Sequence, residues 1–227
     1  MISLFIRSYP NDFEWLSHSI RSMRKNLKGI SDSVLCVPMG SSIPNDISVF
    51  FNRIVYSHES LPGYLAQQVD KVKAYQYCQY NDILFSDSDC IYFQEFDATK
   101  MLDGNRVKLY QTKYTSLEGQ VLVWQKITHK TVDILPEHEY MRCFPIMHKA
   151  KTCELLDTLP SYNHYLTTVK HRELSEFNAL GVIAKNYLPD MYEFVDTETI
   201  GYPSITAKQY WSWGGITSDI LKELETI

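Results

Sequence analysis

Asp87-Ser88-Asp89 is the segment of the chain best placed to do chemistry. It follows Ile83-Leu84-Phe85, an apolar run long enough to be a buried strand. Two carboxylates therefore arrive at the strand's C-terminal end, where open α/β sheets bind ligands. Such a pair can hold a hard divalent cation, and a cation with few protein ligands completes its shell with substrate phosphates and water. The triplet is uninformative without this context, since 14 Asp among 227 residues would place D-x-D about once in a shuffled chain. A solvated acidic turn between two strands is the competing reading.

Other phosphate and nucleophile chemistries leave no trace. There is no G-x-x-x-x-G-K-[ST], no G-x-G-x-x-G after the first strand, no G-x-S-x-G, and His138-Glu139 does not continue into H-E-x-x-H. No two of the seven histidines have metal-ligand spacing.

The elements that must position the carboxylates read as alternating strands and helices, the pattern of a mostly parallel sheet under crossover helices. Ser3 to Ile6 is a strand, and a helix follows it, with Asn11 as its cap, Leu16, Ile20, Met23 and Leu27 on its buried stripe, and Gly29 ending it. Strands are expected at Val34 to Val37 and Arg53 to Tyr56, then a helix from Tyr64 to Cys78 that carries Gln68, Lys71 and Tyr75 on one face. Val107 to Gln111 and Gln120 to Gln125 read as strands, and His148 to Leu159 and Ser175 to Asn186 as helices. A strand near Met191 to Val195, an aromatic loop from Gly201 to Gly215 and a closing helix from Ser218 complete the pattern.

Composition bounds the rest. At 44% hydrophobic and 22% charged, the chain is an ordinary globular protein, and its length favours one domain. The net charge of −5 argues against coating nucleic acid or an anionic membrane, because such binding needs many Lys and Arg. Five cysteines without C-x-x-C spacing read as reduced core residues of a cytoplasmic protein, and no apolar run is long enough to span a membrane.

Several segments together carry a resemblance. Phe5 to Leu16 (FIRSYPNDFEWL), Gly63 to Lys71 (GYLAQQVDK), Ser86-Asp87-Ser88-Asp89, Leu174 to Gly181 (LSEFNALG) and Trp211 to Gly215 (WSWGG) occur in an order that resembles small bacterial and phage glycosyltransferases of the GT-A fold. The resemblance spans nearly the whole chain. It implies an α/β fold with a mixed, mostly parallel sheet flanked by helices. It also implies a single domain over 1–227, with a nucleotide- and metal-binding half (1–97) and an acceptor and catalytic half (98–227).

The resemblance also implies roles. Phe5, Arg7, Ser8 and Tyr9 would meet the nucleotide, with Arg7 on phosphate and Tyr9 stacked on the base. Lys71, with Gln67 or Gln68 beside it, would reach the nucleotide or its diphosphate. Asp87 and Asp89 would bind Mn2+ or Mg2+, with Ser88 between them at the donor. Glu176 would be the catalytic carboxylate, although an acid in the first turn of a helix also complements the helix dipole. Arg142 would act on sugar or phosphate, and Trp211 and Trp213 would form a lid or stacking surface. Related enzymes often add a histidine ligand near the C-terminus; here no histidine follows His171, and Asp196 is the substitute considered.

The expected activity is metal-dependent transfer of a sugar from a nucleotide-sugar, UDP-linked, to a hydroxyl acceptor. That acceptor would be a glycan, or a hydroxymethylated base in phage DNA met by Lys108, Lys113, Lys126, Lys130 and Arg142. The alternatives are a sugar-nucleotide nucleotidyltransferase and a non-catalytic carbohydrate-binding protein on the same fold.

Overall fold

The computed structural model describes residues 1–57, 61–117, 121–141, 145–200 and 207–225; the side chains of Val121, Ile200 and Trp213 also lie outside the description. Its central sheet is built from apolar runs. β1 (Ile2–Arg7) is buried at every position, as a strand covered on both faces must be. α1 (Phe13–Asn26) crosses over to β2 (Asp32–Pro38), which β3 (Arg53–Ser57) follows. α2 (Gly63–Val72) then returns the chain to β4 (Asp82–Asp87).

β4 and β2 flank β1, β3 lies outside β2, and all these pairs are parallel. The chain therefore leaves β1 in one direction and comes back on its other side, which makes the β1/β4 boundary the topological switch point. Register pairs Arg7 with Asp87 there, at the C-terminal ends of both strands.

The remaining elements enclose this centre. β5 (Cys90–Tyr92) follows the acidic triplet, and β6 (Arg106–Lys113) begins a smaller sheet. After α3 (Val121–Val132), β7 (Ile146–Lys149) adds an antiparallel edge to β4. α4 (Ala150–Thr158), α5 (Pro160–Leu166) and α6 (Glu176–Tyr187) pack beside it. β8 (Tyr192–Asp196) pairs with β6 in parallel, β9 (Ala207–Gln209) pairs with β5 antiparallel, and α7 (Ser218–Leu224) closes the chain. The result is the expected mixed α/β architecture, with a mostly parallel central sheet flanked by helices.

Local expectations needed correction in several places, among them Leu27, which is half-buried in extended backbone just past the end of α1 and not on its helical stripe. α1 starts at Phe13 after a 3-10 turn at Pro10–Asp12 and has no side-chain cap, so Asn11 does not start it. The helix after Gly63 is α-helical only to Val72 and tightens to 3-10 at Lys73–Gln76. Tyr75 accordingly leaves the Gln68/Lys71 face and donates to Asp157.

Gln120 to Gln125 does not form a strand: Val121 onward is α3. The β-favouring Val-Leu-Val-Trp run is overridden because Ile127, Thr128, Thr131 and Val132 are buried at helical spacing. His148 lies within a strand rather than opening a helix, its ring fully buried between Phe85 and Phe177. Among the described residues the cysteines are free, with Cys36, Cys90 and Cys153 buried, and no helix is long and apolar enough to cross a membrane.

One close approach fixes where α6 lies. A Cβ at Gly181 would sit 2.2 Å from Cγ of the buried Tyr140, whose backbone N–H donates to Asn178 on the same helix at 2.8 Å. Gly181→Ala is therefore expected to push α6 off Tyr140 and cost ~1–3 kcal/mol, read as a fall of several degrees in Tm.

Candidate active site

The elements meet at the C-terminal ends of β1 and β4. α2 projects Gln68 and Lys71 from one face, three residues apart, and both end on Glu176 in the first turn of α6. Lys71 Nζ lies 3.0 Å from Glu176 Oε1, and Gln68 Nε2 donates to Oε2 at 2.8 Å and to the Leu174 carbonyl at 2.7 Å. Lys71 Nζ also lies 2.7 Å from Asp87 Oδ1, so one ammonium bridges the carboxylate at the strand end and the carboxylate at the helix start. Burial disfavours charge on Lys71, but Asp87 and Glu176 outweigh it and hold the ammonium above its usual range. Ser175 sits at the N-cap position, yet its hydroxyl accepts from Asn178 Nδ2 and makes no capping bond.

Asp89 differs from Asp87. Ser212 N–H donates to its Oδ2 at 2.7 Å, while its Oδ1 is buried with no hydrogen-bond partner. Burial first, and the Asp87 charge second, push its carboxyl up to about 6. The C-terminal segment supplies the donors because β9 pairs with β5: Gln209 Nε2 donates to Asp87 Oδ2 at 3.0 Å, and Ser212 follows three residues later.

Asp12, after β1, lies within electrostatic reach of Asp87, and burial raises its carboxyl above the usual range. Three acids thus approach one another, although no group of three or more His, Cys, Asp or Glu among the described residues is arranged to hold a metal. What the site offers a cation is two carboxylates, with Asp89 Oδ1 buried without a hydrogen-bond partner and Asp87 Oδ1 meeting only the Lys71 ammonium. That donor set suits a hard ion taking its other ligands from phosphate and water.

Other expected contacts lie elsewhere. Phe5 is core, 1% exposed and edge-on to Phe85, and offers no surface to a nucleotide. Arg7 is equally buried; its Nε lies 2.6 Å from Asp70 Oδ2, its Nη1 donates to the Ser8 carbonyl, and Ser57 completes Asp70 at 2.8 Å. The guanidinium is therefore buried in a structural pair with Asp70 rather than presented at the surface. Ser8 and Ser88 are buried. Tyr9 is partly exposed, its ring under Arg7 and its hydroxyl donating to the Gly63 carbonyl.

Trp211 is 58% exposed in left-handed backbone, φ 53°, directly before the Ser212 amide that holds Asp89. Asp196 ends β8 opposite Gln111 and accepts the Glu198 N–H, so it takes no part in the cluster. Arg142 and the Trp213 side chain lie outside the described residues. Gln209, Ser212 and Asp12 went unforeseen. Only Asp12 left a signal, as an acid five residues beyond the end of a strand that points at the switch.

No family model matches the chain, and no curated protein does. Among solved structures the chain is similar to the apo structure of WbbM, described as a bifunctional glycosyltransferase. The identity is 13% and the TM-score 0.49, over 87% of this chain and 39% of that one. The chain spans about two fifths of the neighbour's length, and a likeness this distant assigns no activity.

Proposed function

We propose that the protein is a metal-assisted glycosyltransferase that moves a sugar from a UDP-linked donor to a hydroxyl acceptor. The observation carrying this reading is the orphaned oxygen of Asp89 beside Asp87 at the switch point, tied through Lys71 to a second carboxylate, Glu176. Asp87 and Asp89 are the residues that would hold Mn2+ or Mg2+. When bound, such an ion supplies Lewis-acid neutralisation of the charge that develops on the departing nucleoside diphosphate.

The chain's own groups do the rest. Glu176 is oriented by Lys71 and Gln68, one hydrogen bond to each oxygen, and each oxygen keeps a lone pair. With one of these it takes the proton from the acceptor hydroxyl. Trp211 supplies an exposed flat surface beside the carboxylates for a sugar or a base.

Incubation with Mn2+ and a panel of nucleotide-sugars, read as nucleoside-diphosphate release, tests the proposal. Release from a uridine donor is expected, with Glu176→Gln reducing it about 100-fold or more at unchanged donor affinity. Neither release nor binding of any donor would reject the enzyme reading.

A further inference from the structure

Gln68 has one end unused. Its Nε2 spends both hydrogens, on the Leu174 carbonyl at 2.7 Å and on Glu176 Oε2 at 2.8 Å, and because both partners are hydrogen-bond acceptors the amide can face only this way. Oε1 is therefore the free end, and it is buried without a hydrogen-bond partner. An acceptor left open in the interior is costly, so a partner that brings a hydrogen belongs there. An ionised phosphate brings only acceptor oxygens and does not fit; a hydroxyl does.

A second unused group stands one turn away. Tyr64, Gln68 and Lys71 fall at i, i+4 and i+7 of α2 and share one face. Tyr64 is half-buried at the outer end of that face, and His171 meets its ring edge-on at 5.2 Å. Its hydroxyl makes no hydrogen bond among the described residues. Burial first, and the Glu176 charge second, raise its phenol above the usual range.

We infer that Tyr64 and Gln68 form a subsite for a carbohydrate acceptor, in which a hydroxyl next to the reacting one donates to Gln68 Oε1 and accepts from Tyr64 Oη. This rests on the reading of Glu176 as the base. Gln68 Nε2 and Glu176 Oε2 are already hydrogen-bonded, so the free amide oxygen lies one amide's width further from the carboxylate. Neighbouring hydroxyls of a pyranose suit that spacing: one gives its proton to Glu176 while the other sits on the amide. The Tyr64 ring offers the sugar's C–H face an apolar surface. A hydroxymethylated base has one such hydroxyl and no neighbour for the amide.

The test uses the whole chain with Mn2+ and UDP-glucose or UDP-galactose, read as UDP release. The added acceptors are p-nitrophenyl glucopyranoside and galactopyranoside, their monodeoxy analogues, and an oligonucleotide carrying hydroxymethylcytosine. A pyranoside is expected to raise release above that with water alone, and the oligonucleotide is not. Tyr64→Phe should raise the pyranoside KM about tenfold and leave the donor KM within about twofold, a split that a merely structural tyrosine does not give. Removing the bridging hydroxyl in one monodeoxy analogue should cost wild type more than it costs Tyr64→Phe, because that hydroxyl and the phenol act on each other. If the oligonucleotide but no pyranoside stimulates release, or if Tyr64→Phe shifts neither KM or both alike, the inference fails while the donor reading stands. If no donor is cleaved or bound, the donor reading itself fails and takes the inference with it.

Discussion

Asp89→Asn is expected to give a protein that is more stable without metal and inactive with it. The native carboxylate is buried beside Asp87, and burial first and that charge second push its pKa up to about 6. Asparagine keeps the shape, accepts the Ser212 N–H, and removes the charge.

The sign follows from proton binding. Between the unfolded value near 4 and the folded value near 6, the folded protein holds a proton that the unfolded chain has lost. The stability this proton provides is therefore full below pH 4 and gone once pH rises through 6. At pH 7 the asparagine variant avoids that loss, worth up to ~3 kcal/mol, and its stability should be flatter than wild type between pH 4 and 7. Mn2+ should raise the Tm of wild type and leave the variant unchanged, and turnover should fall about 1,000-fold or more. Melting curves across pH, with and without Mn2+, read all three effects. A variant stabilised by Mn2+ as much as wild type would show that Asp89 is not a ligand.

Lys71→Met is the second large effect, and it is one of stability first. It leaves Asp87 and Glu176 facing each other in the interior without their shared cation. Breaking a buried pair from one side costs ~3–5 kcal/mol, a fall of about 10 °C in Tm for a chain of this size. Glu176→Gln added to Lys71→Met should recover part of that loss, since it removes one of the two stranded charges, so the two changes are not additive. Urea unfolding of the two single variants and the double variant gives the coupling. Strict additivity would mean that Lys71 and Glu176 do not share a network in solution.

What could be read from the sequence was set by how local the determining contacts are. The all-buried β1, the apolar strand leading to Asp87 and the Gln68/Lys71 helix face are short-range patterns, and the fold bears them out. Glu176 is legible as an acid opening a helix, but its link to Lys71 spans 105 positions and no periodicity encodes it. Arg7 shows the reverse: beside a ligand-binding strand end it looks like a phosphate contact, and only the partner 63 residues away shows that its charge is internally used. Gln209 and Ser212 reach the acids because β9 happens to pair with β5, a tertiary choice that three residues of strand do not announce. Val121 to Trp124 was misread because local β propensity and helical burial disagreed there, and packing decided.

The central claim is that Asp87 and Asp89 hold a cation for a phosphate-bearing donor. Titration of Mn2+ into wild type and Asp89→Asn, each in the presence of UDP at pH 7.5, tests it most directly. Saturable binding of one Mn2+ to wild type, weakening as pH falls through about 6 and lost in Asp89→Asn, is the predicted result. No binding to wild type, or equal binding to both proteins, would contradict it.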